Sequence, residues 1–215
     1  MLARPPLAVP LAALAGFVVL LGLVVGGWAP LAEADSAISE AFRGYGRSSP
    51  ALIRGLRIAT DLAATVPFVT AGAVASLLLL AGREWRAAAF CALTTALVPA
   101  LWLALHRLLE HPRPRDGFVA THTNGFPSGH TSMATAAAVA AVLLLWPQLN
   151  RAGRVVTVVV AASFAVFIGL TRVALLAHWP VDVLGGWLLG LAVVPLVAYL
   201  LARDAAPTAP TSSCR

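Results

Sequence analysis

Three short stretches of this chain concentrate side chains suited to catalysis. The first is His106-Arg107-Leu108-Leu109-Glu110-His111-Pro112-Arg113-Pro114, the second Pro127-Ser128-Gly129-His130, and the third runs from Thr171-Arg172 to His178-Trp179-Pro180-Val181-Asp182. Each has a plain structural reading of its own: an Arg-Pro that ends a helix, a serine N-cap, a polar loop closed by a helix-starting proline. Together they compose an oxyanion site. Arg113 and Arg172 offer planar, bidentate recognition of phosphate. Ser128, Gly129 and His130 open an apolar run, where a helix N-terminus presents free N–H groups and the positive end of its dipole, and Gly129 lets backbone approach closely. Asp182 follows His178 by four residues, so its carboxylate can hold that imidazole in the reactive tautomer. His130 is a second imidazole, free to donate a proton. Two histidines, a carboxylate and several cations suit phosphoryl transfer through a phosphohistidine.

The elements that must hold these groups follow from composition. Of the 215 residues, 60% are hydrophobic and 11% charged, where a soluble domain carries about 25% charged residues. One soluble core cannot hide so much apolar surface, so the chain reads as a polytopic membrane protein. Its fifteen basic residues are all arginine, scattered between apolar blocks, with no basic run to track nucleic acid. Cys91 and Cys214 form neither a CxxC nor a close pair, which leaves no disulfide framework and no cysteine metal site. Charge-free runs predict six transmembrane helices, at about 8–28, 62–82, 87–105, 130–146, 155–171 and 183–202. The fold class is therefore all-α, a six-helix bundle, with residues 1–204 as one membrane-embedded domain and the Pro/Thr/Ser-rich 205–215 as a disordered tail. Within the long 29–61 connection, Ser49-Pro50 and the pattern that follows predict a short interfacial helix before span two. Ala32-Glu33-Ala34 resembles a signal-peptidase site, but the preceding apolar run is longer than a signal peptide needs, which favours a retained anchor.

The connections alternate between two membrane faces, and all five histidines (His106, His111, His122, His130 and His178) fall on one of them together with Arg113, Arg172 and Asp182. Raw arginine counts, seven on one face and eight on the other, leave orientation open. Setting aside the arginines of the 106–129 and 172–182 loops as site residues makes the balance seven to four. The termini are then cytoplasmic and the site extracytoplasmic.

The three elements resemble the signature of the type 2 phosphatidic acid phosphatase family, K-x6-R-P, P-S-G-H and S-R-x5-H-x3-D. The motifs cover residues 106–182, and the six-span layout extends the resemblance to nearly the whole chain. It implies an integral cell-membrane lipid phosphatase that works without a metal or other cofactor, with its site on the extracytoplasmic side. Substrates of the class are phosphatidic acid, phosphatidylglycerophosphate and polyprenyl diphosphates. By the same resemblance His178 is the nucleophile, Asp182 its orienting partner, and His130 the general acid and then base. Arg113, Arg172, Ser128 and Gly129 bind phosphoryl oxygens. Two positions depart from the pattern: Thr171 replaces serine and keeps a hydroxyl, while His106 replaces the lysine. Either His106 binds phosphate as imidazolium or Arg107 supplies the cation. His111 has a weaker ligand role, and His122 is a loop residue.

Two other readings stay open at this level. A protein that binds or transports a phosphorylated lipid without turnover would explain the missing lysine. A metal-dependent hydrolase could use the histidines as ligands, although no HExxH-like pair is present. Vanadate-dependent haloperoxidases resemble the same anion-site pattern, but they are soluble.

Overall fold

The computed structural model describes residues 2–120 and 124–202. The expected tail at 205–215 and the loop residue His122 lie outside them. Eight α-helices follow one another: α1 (Ala8–Val25), α2 (Ala29–Ser48), α3 (Pro50–Asp61), α4 (Thr65–Ala81), α5 (Trp85–Leu108), α6 (Gly129–Leu145), α7 (Arg151–Ala174) and α8 (Pro180–Leu201). A single 3-10 turn, Trp146–Gln148, links α6 to α7. The described residues contain no strand.

Among the described residues six stretches are long and apolar enough to cross a membrane, one of them Pro50–Ala81, which joins α3 and α4 into 32 residues. Their outer faces remain apolar: Val18, Val19, Leu77, Leu78, Val156 and Val160 are all exposed. Such faces are solvated by lipid rather than by water. The chain is thus an all-α polytopic membrane protein, as its composition required.

α1 and α4 are a few residues shorter than the expected spans, whereas the helices that reach the site start or end beyond them. Charge-free runs stop at the first charge, whereas α5, α7 and α8 run on to take in His106, Arg172 and Asp182 within their terminal turns. The larger difference lies in residues 29–61, where one short helix was expected. That helix is present as α3, with Ser49 at the N-cap and Pro50 in its first turn. It is preceded by the 20-residue α2. The buried residues of α2 are Asp35, Ser39 and Gly46. Four- and seven-residue steps put them on one helical face, but that face is polar and small, so no apolar stripe announces it.

α8 is the central element, packed on α6, α1 and α5. Gly186 and Gly190 allow the α6–α8 approach: a Cβ at either would come within 2.8 Å of Thr131 or Thr135. Small residues commonly let membrane helices draw this close. Below this contact Phe90 and Val98 of α5, Met133 and Ala136 of α6 and Val194 of α8 form the main core. At one end of the bundle Ala3 N–H donates to Leu143 O, and Arg86 donates to Leu201 O. The opposite end gathers the C-termini of α5 and α7 with the N-termini of α6 and α8.

Candidate active site

The third element owes its spacing to two helix caps. α7 ends in a paired-bond C-cap: Leu176 N–H donates to Val173 O at 2.9 Å and Ala177 N–H to Arg172 O at 3.0 Å. This is the Schellman pattern, which calls for a left-handed residue after the C-cap. Leu176 fills that place with φ +50°, where glycine is usual. Its side chain is fully buried, at 1% exposure, and that packing holds the turn. Four residues after Leu176, Pro180 begins α8, and the Asp182 carboxylate reaches back to the Trp179 N–H at 3.0 Å. The same Oδ2 lies 3.2 Å from Nδ1 of His178. The five-residue step is therefore a helix stop, and the three-residue step is a helix start whose capping carboxylate also meets the imidazole.

Arg113 closes the other side. Its Nη1 lies 2.9 Å from His178 Nε2 and donates to Ala177 O at 2.6 Å, while Nε donates to Asn124 O at 3.1 Å. Both contacts of His178 specify one tautomer: Nδ1 carries the proton toward Asp182, and Nε2 presents its lone pair to the guanidinium. Burial, reinforced by the nearby Arg113 and Arg172, pushes the His178 imidazole down to about 4, although Asp182 opposes the shift. A neutral imidazole so held keeps a lone pair on Nε2, the form in which an imidazole can act as a nucleophile.

Arg172, in the last turn of α7, is buried and donates from Nη1 to Thr60 Oγ1 at 3.3 Å. Its Nε has no hydrogen-bond partner among the described residues. A buried guanidinium N–H left unpaired is a donor available to an anion. Thr171 hydrogen-bonds Ile168 O and approaches Thr60 at 3.1 Å. Its hydroxyl thus positions the arginine's helix end.

His130 occupies the second position of α6, within electrostatic reach of Arg172, His178 and Arg113. The N–H groups of Gly129 and His130 have no intrahelical acceptor. Ser128 is different. Its N–H donates to Asp182 O at 2.9 Å, and its hydroxyl accepts from Thr131 at 3.0 Å. Ser128 therefore ties α6 to α8, and its own amide is occupied. Gly129 makes room for an indole: a Cβ there would lie 2.7 Å from Trp102.

His106 is buried, packed against Trp102 with ring centroids 4.8 Å apart and planes tilted by 43°, and its Nε2 is 3.4 Å from Arg113 Nη2. It thus joins the wall of the site beside Arg113. Arg107 is exposed, turned about 100° around α5 from His106. His111 does not join the arginines. Its Nδ1 stands 3.0 Å from Oδ1 of Asp182, an ion-pair contact too oblique for a hydrogen bond. Burial opposes charge on His111, but Asp182 and Asp35 outweigh it and raise its pKa.

Four residues that no motif marked complete the arrangement: Thr60, Asn124, Trp102 and Asp35. Asn124 donates to His106 O at 2.9 Å, and Asp35 accepts from Val181 N–H at 3.0 Å. Only the i, i+4, i+11 face of α2 could have pointed to Asp35. Among the described residues, no group of three or more His, Cys, Asp or Glu side chains is arranged to hold a metal ion.

The chain is similar to known proteins in sequence and fold. The PAP2 superfamily model matches residues 99–205. Phosphatidylglycerophosphatase B of Escherichia coli K12 is 35% identical over 103 residues, which is 48% of this chain and 37% of that protein. The Shigella flexneri protein of the same name matches equally. The chain therefore aligns with little more than a third of these curated relatives. The crystal structure of a transmembrane PAP2 type phosphatidylglycerolphosphate phosphatase from Bacillus subtilis superposes with a TM-score of 0.75 at 26% identity, covering 88% of this chain and 94% of that one.

Proposed function

Because the chain belongs to the PAP2 superfamily, we propose that it is an integral-membrane lipid phosphatase acting through a phosphohistidine. The observation that carries this reading is His178, with Nδ1 on Asp182 and Nε2 on Arg113. Nε2 attacks phosphorus and the bond to the lipid oxygen breaks. His130 gives its proton to that oxygen. In the second half-reaction His130 takes a proton from water, whose oxygen displaces the histidine and releases inorganic phosphate. Arg113, Arg172 and the amides at the start of α6 bind the phosphoryl oxygens, where charge develops. Ser128 and Gly129 shape that helix start, and His106 lines it. Arg107, being exposed, is better suited to the membrane surface.

Residues 1–204 act as one catalytic unit in this reading. The site faces the extracytoplasmic side, with both termini cytoplasmic, which the discounted arginine balance supports. Among the three substrate classes the names of the relatives favour phosphatidylglycerophosphate. The test is phosphate release by the purified protein from phosphatidylglycerophosphate, phosphatidic acid and a polyprenyl diphosphate, with a soluble phosphate ester as control. The expected result is turnover of the lipids, surviving EDTA, inhibited by vanadate and lost in His178→Ala. Full activity in His178→Ala would overturn the mechanism. Binding of the lipids without turnover would instead establish the non-catalytic reading, and loss of activity to EDTA the metal-dependent one.

A further inference from the structure

Asp182 is shared. Its Oδ2 faces His178 at 3.2 Å and its Oδ1 faces His111 at 3.0 Å. It is wholly buried, so whatever sets the charge on His111 acts at short range on the carboxylate that orients the nucleophile. Behind His111 lies a cleft of about 350 Å³ between α1, α2, residues 110–112 and the start of α8. Asp35 and His111 both line it. Asp35 is only 6% exposed, and its Oδ1 accepts the N–H of Val181, the residue before Asp182, from 146 positions away. Val181 N–H is one of the first-turn donors that a helix cannot satisfy itself, and a carboxylate there also complements the dipole. Gly125 closes over the far side: a Cβ on it would stand 2.8 Å from Asp182 Oδ2 and 3.3 Å from His111 Nδ1.

We infer that Asp35 is a positioning residue for the reaction: it pins the first turn of α8 that carries Asp182, and its charge acts on Asp182 through His111. The inference rests on the phosphohistidine reading for its catalytic meaning, but not for its geometry. When His111 is protonated it neutralises Asp182, which then supports the proton on His178 less well and slows attack. The charged groups acting on His111 are Asp182 from α8 and Asp35 from α2. Glu110 of the adjoining loop lines the same cleft, and α1 contributes only Leu23 and Val24 there. Asp182 itself meets His178 and His111 at hydrogen-bonding distance, and its charge also reaches Asp35, Arg113 and His106. Burial lifts Asp35 to about 6, and the nearby Asp182 adds to the shift. The carboxylate is therefore mostly ionised at pH 7 and above, where its charge favours protonated His111. Asn at this position keeps an acceptor for Val181 N–H and removes the charge, whereas Ala removes both.

The deciding experiment is a histidine ¹⁵N NMR titration of the full chain in nanodiscs, wild type against Asp35→Asn, with His111 assigned from the missing signal in His111→Gln. The His111 midpoint is expected to fall by on the order of one pH unit in Asp35→Asn, with the His178 tautomer unchanged. This readout needs no turnover, so it stands or falls separately from the phosphatase reading. In the kinetic arm, Asp35→Ala lowers kcat about tenfold with little change in KM, and Asp35→Asn restores most of that loss while moving the acid limb of the kcat profile to lower pH. An unmoved His111 midpoint in Asp35→Asn, or equal kcat losses in the two variants, would overturn the inference. Should Asp35→Ala not fold, the Asp35→Asn titration still decides.

Discussion

Nη1 of Arg113 stands 2.9 Å from Nε2 of His178, so a guanidinium rests on the lone pair that, in the proposed mechanism, must reach phosphorus. A bound phosphoryl group would take that lone pair and give the arginine an oxygen instead. The fork also grips Ala177 O and Asn124 O, a geometry that an ammonium on a flexible stem cannot reproduce. Arg113→Ala is expected to lower kcat/KM by about 10²–10³, and Arg113→Lys to recover less than about a tenth of the wild-type value. Phosphate-release kinetics on both variants check this, and full recovery by lysine would show that charge alone matters there.

The charge state of His178 makes a second prediction. Its folded pKa is depressed to about 4, chiefly by burial, against an ordinary value of about 6.5. Between those values the unfolded chain binds the proton more readily, so this group's contribution to stability declines as pH falls through that window. At pH 5.5 His178 is expected to remain neutral, with its proton on Nδ1. ¹⁵N spectra of histidine-labelled protein report the tautomer directly, and an imidazolium at pH 5.5 would contradict the geometry.

In the proposed mechanism general acid–base work falls to His130, the imidazole at the start of α6. His130→Ala is expected to cost about 10²–10⁴ in kcat. A substrate with an activated leaving group, which needs no proton to depart, should regain the first half-reaction only. The measurable result is a burst of alcohol release with phosphate retained on the protein. Equal losses with activated and natural substrates would remove His130 from the role of acid.

At the helix contact beneath the site, Gly186→Ala would place a methyl 2.8 Å from Thr131 Cβ and 2.9 Å from Ser128 O. Overpacking of this kind typically costs about 1–3 kcal/mol. It would also strain the Ser128 N–H to Asp182 O bond. Lower thermal stability together with reduced kcat is expected, measurable by heating the detergent-solubilised protein and assaying what remains folded. Unchanged stability would mean that α6 and α8 have more freedom than their close approach implies.

Asp35 should trade stability for function. Its folded pKa of about 6 lies above its ordinary 3.8, so ionisation is disfavoured by folding, and stability drains away as pH rises through that interval. Asp35→Asn should therefore raise the melting temperature above pH 6, by about 2–4 °C for each kcal/mol regained, and flatten its pH dependence. A lower melting temperature at pH 8 would show that the carboxylate's charge is compensated.

Much of the fold is legible in the chain because lipid imposes a simple rule. A spanning helix must be long and uncharged, and α1, α4, α5, α6, α7 and α8 announce themselves that way. The site's three elements were equally readable, since each falls where such a run meets a charge. α2 could not be found so, because its buried face presents Asp35, Ser39 and Gly46 rather than an apolar stripe. Thr60 and Asn124 are common residues whose importance lies in what they touch across the fold. Gly129 illustrates a subtler limit. Its lack of a side chain was evident, but the chain could not say that the space belongs to Trp102.

The Schellman turn at Leu176 and the carboxylate cap at Asp182 mean that the groups proposed to react hang from the ends of helices and not from their flanks. Re-surfacing the lipid-facing middle of α7 or α8 leaves such a site in register, so the exposed valines and leucines there are free to vary with the chemistry of the host bilayer. Length is the quantity that cannot drift. One residue added between Arg172 and His178 would swing that imidazole off its carboxylate while leaving every span intact.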